Sequence, residues 1–240
     1  MSSLQTLIFY ATPEHDCSYL EGKKATTMFV DPRAKINKDL YSKLSVLGFR
    51  RSGNHYYRPH CGQCQECIPI RLPVNSFTPS RNQKRNLKKN IGIETSITPP
   101  EFYQKHYDLY EKYIIARHSD GDMYPPNEEQ YRSFLVECNP GTFFLEFKYK
   151  GELIGVSVID ELIDGLSSVY TYFDPASSDR SLGVFSILWQ IEECKRRALN
   201  HLYLGYWIKN CRKMEYKTLY KPVEFLINGQ WTLYNPDKTI

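Results

Sequence analysis

The sequence lacks any long uninterrupted apolar run. None of its 240 residues lies in a stretch approaching the roughly 18–20 apolar residues that a membrane-spanning helix needs. Its first residues, MSSLQTLIFYATPEHDC, have neither the basic start nor the long apolar centre of a secretory signal peptide. Internal repeats and low-complexity segments are also absent. We therefore expect a soluble, cytoplasmic protein with no membrane partner.

Negatively charged residues are scarce in the first part of the chain. Residues 1–100 contain 15 Lys and Arg against 7 Asp and Glu, whereas residues 101–240 contain 16 against 20. The apolar fraction of 41% and the charged fraction of 24% are ordinary for a globular protein. This asymmetry predicts that a polyanion binds to the basic first part.

The sequence has seven cysteines, and an odd number cannot all pair in disulfides within one chain. Cys61, Cys64 and Cys67 follow one another at intervals of three, but a tetrahedral metal site needs four ligands. Cys17 is the candidate for the fourth ligand, and His60 is the substitute. Both zinc and an iron–sulfur cluster fit such ligands, and unligated thiols on a tight turn are the alternative. The scattered thiols are expected to be small buried hydrophobes: Cys138, Cys194 and Cys211.

Residues 78–92, TPSRNQKRNLKKNIG, have the pattern of a short helix. Ser80 is a suitable N-cap, and Gln83 completes a capping box. Five cations recur at helical spacing and would share one face: Arg81, Lys84, Arg85, Lys88 and Lys89. Such a run is often only a solvated surface, but here it also suits contact with a polyanion.

The remaining periodicity predicts an α+β protein. Residues 48–59 indicate a hairpin, residues 68–74 an extended segment, and residues 100–118 and 127–137 two helices. Three strands then form a meander, followed by the amphipathic helix SLGVFSILWQIEECKRRALN and the strand HLYLGYWI. This order is that of a GNAT-like (N-acetyltransferase-like) domain with a mixed sheet flanked by helices. We place it at residues 77–240, after a small cysteine-bearing domain at residues 1–76.

Several long motifs together resemble one family. They are CSYL (17–20), GFRRSGNHYYRPHCGQCQECIPIR (48–71), SRNQKRNLKKN (80–90), RHSDGDM (117–123), DGLSSVYTYFDP (164–175), RSLGVFSILWQIE (180–192) and YLGYWIKNCRKMEYK (203–217). In this order they are similar to the bacterial aspartate/glutamate leucyltransferases, relatives of the arginyl-tRNA–protein transferases. The resemblance implies an enzyme of the N-degron pathway that moves leucine from leucyl-tRNA to proteins beginning with Asp or Glu. It implies no organic cofactor and no DNA partner. Cys17 falls where the arginyltransferases have a cysteine, although the cysteine spacing here differs from theirs.

This reaction is aminolysis of an ester, so the nucleophile belongs to the acceptor protein. The sequence has no Ser/His/Asp arrangement for covalent catalysis, which suits direct transfer. The predicted catalytic residues are Tyr170, Tyr172, Asp174 and His118. For the acidic acceptor we predict Arg117, His118, Arg81 and Arg85, because Arg matches a carboxylate in a fork. Two of these have ordinary alternatives, since Asp174 is also suited to a turn and Arg117 to the end of a helix.

The predicted tRNA contacts are the basic residues of the first part of the chain: Arg50, Arg51, Arg58, Arg81, Lys84, Arg85, Lys88 and Lys89. Aromatic rings hold single-stranded ends by stacking, and the candidates are Tyr56, Tyr57, Tyr170, Tyr172 and Trp207. The segment 180–183, where a helix begins, is a candidate for holding a phosphate or carbonyl.

Three alternatives remain open from the residues. An acetyl-CoA-dependent N-acetyltransferase fits the fold, but SDRSLGVF has one glycine where a pyrophosphate loop needs more. A zinc-knuckle RNA-binding module explains only the first half of the chain. Arginine as the donor amino acid would need buried acids, for which Asp160, Glu161 and Asp164 are candidates.

Overall fold

The computed structural model describes residues 4–121, 123–137, 141–209 and 211–235. These residues form a mixed α+β structure in which helices flank a large mixed sheet. Within the described ranges, no helix combines the length and the apolarity that crossing a bilayer requires.

A four-stranded antiparallel sheet comes from the first part of the chain. Its strands are β1 (Phe9–Ala11), β4 (Thr27–Val30), β5 (Arg50–Ser52) and β6 (His55–Pro59), in the order β1-β4-β6-β5. The short strands β2 (His15–Asp16) and β3 (Lys24–Ala25) pair separately. Helix α1 (Lys38–Val46) begins after Asn37, whose side chain accepts a hydrogen bond from the Leu40 amide. The predicted hairpin at 48–59 is confirmed by β5 and β6.

The large sheet has eight strands in the order β14-β13-β7-β12-β11-β10-β9-β8. In chain order they are β7 (Ile68–Pro73), β8 (Ile93–Thr98), β9 (Thr142–Tyr149), β10 (Glu152–Glu161), β11 (Gly165–Phe173), β12 (His201–Trp207), β13 (Glu224–Ile227) and β14 (Gln230–Leu233). The predicted meander is β9, β10 and β11, and it is confirmed. Strand β7 lies between β12 and β13, so the boundary drawn at residue 76 falls after a strand of the large sheet.

Four helices accompany the large sheet: α2 (Arg81–Lys89), α3 (Gln104–Arg117), α4 (Glu128–Tyr131) and α5 (Leu182–Arg196). The capping box of Ser80 and Gln83 is present as predicted. The predicted helix at 127–137 begins at its Asn127 cap, but it changes to a π-helical turn at Arg132–Val136. Short 3₁₀ segments include Pro175–Arg180 and Glu215–Leu219.

The apolar core has three parts, which explains why these amphipathic elements assemble. One part joins α5 to one face of the large sheet through Ile187, Leu188 and Ile191. A second part packs α3 against β10 and β11. A third packs α1 against the four-stranded sheet. Cys194 and Cys211 are buried as predicted, whereas Cys138 lies outside the described residues.

Candidate active site

Strands β11 and β12 separate in the middle of the large sheet. They pair in parallel only where Gly165–Ser167 faces His201–Tyr203, although both strands continue further. Each strand has an irregularity just beyond the paired residues, at Val169 on β11 and at Leu204 on β12. Such bulges increase strand twist and bend the strand. We call the resulting gap, between residues 168–173 and 204–207, the strand opening.

Arg50 occupies the start of the strand opening. Its guanidinium donates hydrogen bonds to Ser167 Oγ (2.9 Å) and to the Ser168 carbonyl (2.6 Å) on β11. On the β12 side it packs against Gly205, where an added Cβ would lie 3.1 Å from Arg50 Nε. Gly205 has a φ of +81°, so both its backbone conformation and the approach of Arg50 favour glycine. Arg50 therefore spans the two separating strands.

The neighbouring Arg51 points into the interior instead. It donates to both carboxylate oxygens of Asp160 at 2.8 Å, and it is 3% exposed. Thr142 and Tyr41 also donate to this carboxylate. The predicted phosphate contact of Arg51 is therefore wrong, because successive strand residues face opposite sides and Arg51 has the buried side.

The two candidate tyrosines of β11 have different surroundings. Tyr172 is fully buried and shares a 3.0 Å hydrogen bond with Tyr131 in the core beneath α3, so its predicted catalytic role is wrong. Tyr170 is half-buried, and its buried hydroxyl has no hydrogen-bond partner among the described residues. Its ring lies near Tyr113 and Phe134. Burial raises the pKa of Tyr170 well above its ordinary value, so this hydroxyl stays protonated near pH 7 and can donate a hydrogen bond.

The end of α3 lies beside the end of β11. The guanidinium carbon of Arg117 is 5.9 Å from the centre of the Phe173 ring, and the His118 ring is 5.3 Å from that of Tyr113. Burial, with the nearby cations Lys213 and Arg117, lowers the pKa of His118, although Asp120 opposes this. His118 is therefore neutral near pH 7. Asp122, which belongs with Arg117 and His118 to the motif RHSDGDM, lies outside the described residues.

Asp174 makes a turn contact, which is the alternative to a catalytic role that its sequence context allows. Its carboxylate accepts a 2.9 Å hydrogen bond from the Ala176 amide and begins the 3₁₀ segment Pro175–Arg180. This contact explains the residue without a catalytic role.

Helix α2 exposes its cationic face and is anchored by its other side chains near the ends of the two separating strands. All five predicted cations are exposed: Arg81, Lys84, Arg85, Lys88 and Lys89. Lys89 pairs with Asp179, but within the described part of the chain the other four form no ion pair. Asn86 and Asn90 donate to the Arg180 carbonyl at the start of α5. Gln83 donates to the Leu219 carbonyl. The helix is thus fixed to segments that follow β11 and β12.

The predicted cysteine ligands lie around one groove of about 1310 Å³, which we call the cysteine groove. Cys17, Cys61, Cys64 and Cys67 line it, together with Tyr57, Arg58 and His60 and with Tyr206 and Trp207 from the end of β12. Burial and the other thiols raise the pKa of Cys67 to about 12. The side chains as described do not bring three or more His, Cys, Asp or Glu into an arrangement that holds a metal ion.

Three aromatic candidates for stacking differ in how far they are buried. Tyr56 is 6% exposed and packs against Tyr41, so its predicted stacking role is wrong. Tyr57 is half-buried beside Tyr206, and Trp207 is 9% exposed, with an indole N–H that has no described partner.

The acids considered for an arginine donor are all engaged elsewhere. Asp160 holds Arg51, Glu161 pairs with Lys38 and Arg197, and Asp164 accepts from His201 and Tyr203 at 2.9 Å. Asp160 and Glu161 end β10 and Asp164 precedes β11, so all three lie near the start of β11, away from the strand opening. These contacts do not favour the alternative of an arginine donor.

Lys217 is a candidate that sequence reasoning did not identify. It is buried beside Arg50, and burial together with this like charge lowers its pKa to about 7. Nothing in the polar string EYKTLY signals a buried amine, because burial depends on distant strands.

Comparisons with known proteins agree in pointing to one family. Residues 15–85 match the model described as arginine-tRNA-protein transferase, N terminus, and residues 105–227 match the corresponding C terminus. The chain is 58% identical to the aspartate/glutamate leucyltransferase of Marinobacter nauticus, over 99% of this chain and 100% of that protein. It is 53% identical to the protein of the same name in Hahella chejuensis, over 96% and 99%.

A search of solved structures found a weaker likeness. The C-terminal domain of a putative lysylphosphatidylglycerol synthetase from Agrobacterium fabrum is 10% identical, with a TM-score of 0.46, over 76% of this chain and 61% of that one. The GNAT-like assignment stays a prediction.

Proposed function

Because the chain belongs to the arginine-tRNA-protein transferase family, we propose that it transfers leucine from leucyl-tRNA to the α-amine of proteins that begin with Asp or Glu. The product would carry a new N-terminal leucine, which the N-degron pathway recognises. The observation that carries this proposal is that α2, whose cations are exposed, is fixed by Gln83 and Asn86 to the segments that follow the two separating strands.

The geometry supports a polyanion at α2 because four exposed cations there lack an acidic partner among the described residues. Phosphate contacts supply most of the affinity for a nucleic acid, without reading its sequence. A tRNA acceptor end lying along this face would bring its terminal ester to the strand opening. Tyr57, which is half-buried, would then be the candidate for stacking, whereas Trp207 is buried against Phe225.

The acceptor proposal concerns the end of α3. Arg117 is exposed beside Phe173, and a guanidinium binds a carboxylate through two hydrogen bonds. We assign it the acidic side chain of the acceptor. Neutral His118 next to it would leave the α-amine free of an additional positive neighbour. Arg81 and Arg85 are assigned to tRNA instead, since they lie on the phosphate-facing helix.

Leucine is favoured as the donor amino acid by the occupied acids. An arginine side chain would need a free carboxylate, but Asp160 and Glu161 are paired with cations, and Asp164 accepts from His201 and Tyr203 through Oδ2, which leaves only its buried Oδ1 without a partner among the described residues. An aliphatic side chain has no such requirement.

We treat metal binding by Cys17, Cys61, Cys64 and Cys67 as a separate proposal. The four thiols line one groove without being in a ligating arrangement, and the support for the proposal is that thiolates are the ligands of structural zinc sites and iron–sulfur clusters. No step of the transfer is assigned to it. Metal analysis of the purified protein, with its visible absorption spectrum, tests this proposal, and four Cys→Ser changes should remove any metal found.

The transfer itself is tested with purified protein, labelled leucyl-tRNA and matched peptides. We expect leucine to be added to peptides that begin with Asp or Glu and not to one that begins with Ala. Arginyl-tRNA in a parallel reaction tests the donor, and coenzyme A binding tests the acetyltransferase alternative. No extended peptide with either charged tRNA would contradict the proposed function.

A further inference from the structure

Lys217 is buried although lysine normally keeps its ammonium group in water. It is 7% exposed and lies in the 3₁₀ segment Glu215–Leu219 that follows β12. No acid in the described part of the chain pairs with it. The same segment is held to α2, because Gln83 donates to the Leu219 carbonyl. A buried cation without a carboxylate is costly, so this placement needs an explanation.

The amine of Lys217 faces the strand opening. Its Nζ donates to the Tyr206 carbonyl at 2.5 Å and to Met214 Sδ at 3.1 Å. Pro69 lies opposite Tyr206 on β7 and has no N–H to donate. The Tyr206 carbonyl therefore turns toward the other edge of β12, where β11 would be if the strands had stayed together. Lys217 Nζ donates to this carbonyl in place of a backbone N–H of β11.

The hydrogen bonds of Lys217 match those of a neutral amine. A neutral amine has two N–H bonds and one lone pair, and the described surroundings offer two acceptors. The ammonium form would have a third N–H without an acceptor there. Deprotonation would leave the lone pair free without breaking either contact.

The charges around Lys217 favour the same form. Arg50, held on β11 by Ser167 and Ser168, repels the ammonium across the opening, and with burial it lowers the pKa of Lys217 to about 7, while Cys211 acts in the opposite direction. Tyr216, whose ring centre is 6.0 Å from Nζ, and Tyr206 both have pKa values raised by burial, so neither is charged near pH 7. Lys217 would then titrate near neutral pH, where an ordinary lysine is fully protonated.

We propose that Lys217 is the proton acceptor of the transfer reaction, an inference that rests on the proposed function. The α-amine of the acceptor protein attacks the ester carbonyl carbon, and a C–N bond forms. Lys217 Nζ takes the proton that this nitrogen must lose. The bond between the carbonyl carbon and the ribose oxygen breaks, and the proton passes to that oxygen. Ester and amine become amide and hydroxyl, and no other reactant is needed.

Two substitutions separate proton transfer from charge. Lys217→Met removes the amine but keeps the apolar length, whereas Lys217→Arg keeps a cation that does not deprotonate near neutral pH. We expect both to lower the single-turnover rate of leucine transfer by about 10²-fold or more, the range of general-base catalysis. Peptide KM and tRNA affinity should change by less than about 3-fold, because a proton acceptor acts mainly in the transition state. Lys221→Met, an exposed lysine in the same part of the chain, is the matched control and should keep the wild-type rate.

Chemical rescue adds a measurement that a purely structural residue would not affect. Methylamine added to Lys217→Ala should restore part of the rate, and the restored rate should follow the concentration of free amine. The wild-type rate should also depend on an ionisation near pH 7, in addition to that of the peptide amine near pH 8.

The outcomes distinguish the two levels of the proposal. If the wild-type protein transfers leucine and Lys217→Met loses less than about 5-fold, the role of Lys217 is overturned while the proposed function stands. If the substituted proteins do not fold, the wild-type pH profile decides, and a profile with the peptide ionisation alone overturns the inference. Absence of transfer by the wild-type protein would instead overturn the proposed function.

Discussion

The two ends of β11 differ in how their charged groups are matched. Near its start, both oxygens of Asp160 on β10 accept from Arg51, and Asp164 accepts from His201 and Tyr203 through Oδ2, although its Oδ1 has no partner among the described residues. Toward its far end, Tyr170 has a hydroxyl without a partner among the described residues, and Lys217, which contacts Tyr206 on β12, has no acid paired with it there. We call these the closed end and the open end. The difference teaches that polar groups stabilise the sheet where they are paired and are available for substrates where they are not.

The largest expected effect is at the closed end. Arg51→Ala would leave the buried carboxylate of Asp160 without its cation, which should lower the free energy of unfolding by about 3–5 kcal/mol. Urea unfolding measures this loss. Arg51→Ala combined with Asp160→Ala removes the unpaired carboxylate and should recover part of the lost stability. A loss below about 1 kcal/mol would mean that the closed end does not depend on this pair.

At the open end, the expected effect on stability depends on pH. The folded protein lowers the pKa of Lys217 from 10.5 to about 7, so between these values the unfolded chain binds a proton that the folded chain does not. Stability of the wild type should therefore rise with pH relative to Lys217→Met, by up to about 1.4 kcal/mol per pH unit. Urea unfolding of both proteins at pH 7, 8 and 9 checks this. Parallel slopes would show that Lys217 is not deprotonated by folding.

A smaller effect is expected on the cationic face of α2, next to the open end. Arg81→Glu with Arg85→Glu should weaken tRNA binding by about 10–100-fold and reduce the slope of log affinity against log salt by about 2. Filter binding across a salt series measures both quantities. Lys23→Glu with Lys35→Glu changes two exposed residues by the same charge elsewhere and is the control. Equal effects in both pairs would indicate a response to net charge instead of a docking face.

The smallest expected effect is at Asp174. Asn can still accept the hydrogen bond from the Ala176 amide, so Asp174→Asn should change the transfer rate by less than about 3-fold. Asp174→Ala removes the contact and should cost about 1 kcal/mol of stability. A large loss of transfer in the Asn variant, with stability unchanged, would restore the catalytic role predicted for Asp174.

Features with local signals were predictable from the sequence. Ser80 and Gln83 specified the start of α2, and the capping box that they predict is present. Turn residues and alternation also predicted the meander of β9, β10 and β11. These elements depend on interactions among residues that are close along the chain, where propensities and caps act directly.

Features that depend on distant pairing were not predictable. Arg50 and Arg51 are adjacent and chemically alike, and strand alternation requires them to face opposite sides without saying which side is buried. Lys217 is buried only because β11 and β12 separate, which involves bulges far from it in sequence. The place of β7 between β12 and β13 is likewise a matter of register, and composition does not encode it.

The insertion of β7 also has a consequence for biosynthesis. The ribosome makes Ile68–Pro73 well over a hundred residues before its neighbours His201–Trp207 and Glu224–Ile227, so this strand must wait with both edges unpaired. Long-range pairings of this kind slow folding and expose the nascent chain to aggregation. The two family-model segments are thus interlocked parts of one folding unit, and a fragment that ends at residue 76 would leave the ribosome without the partners of its last strand.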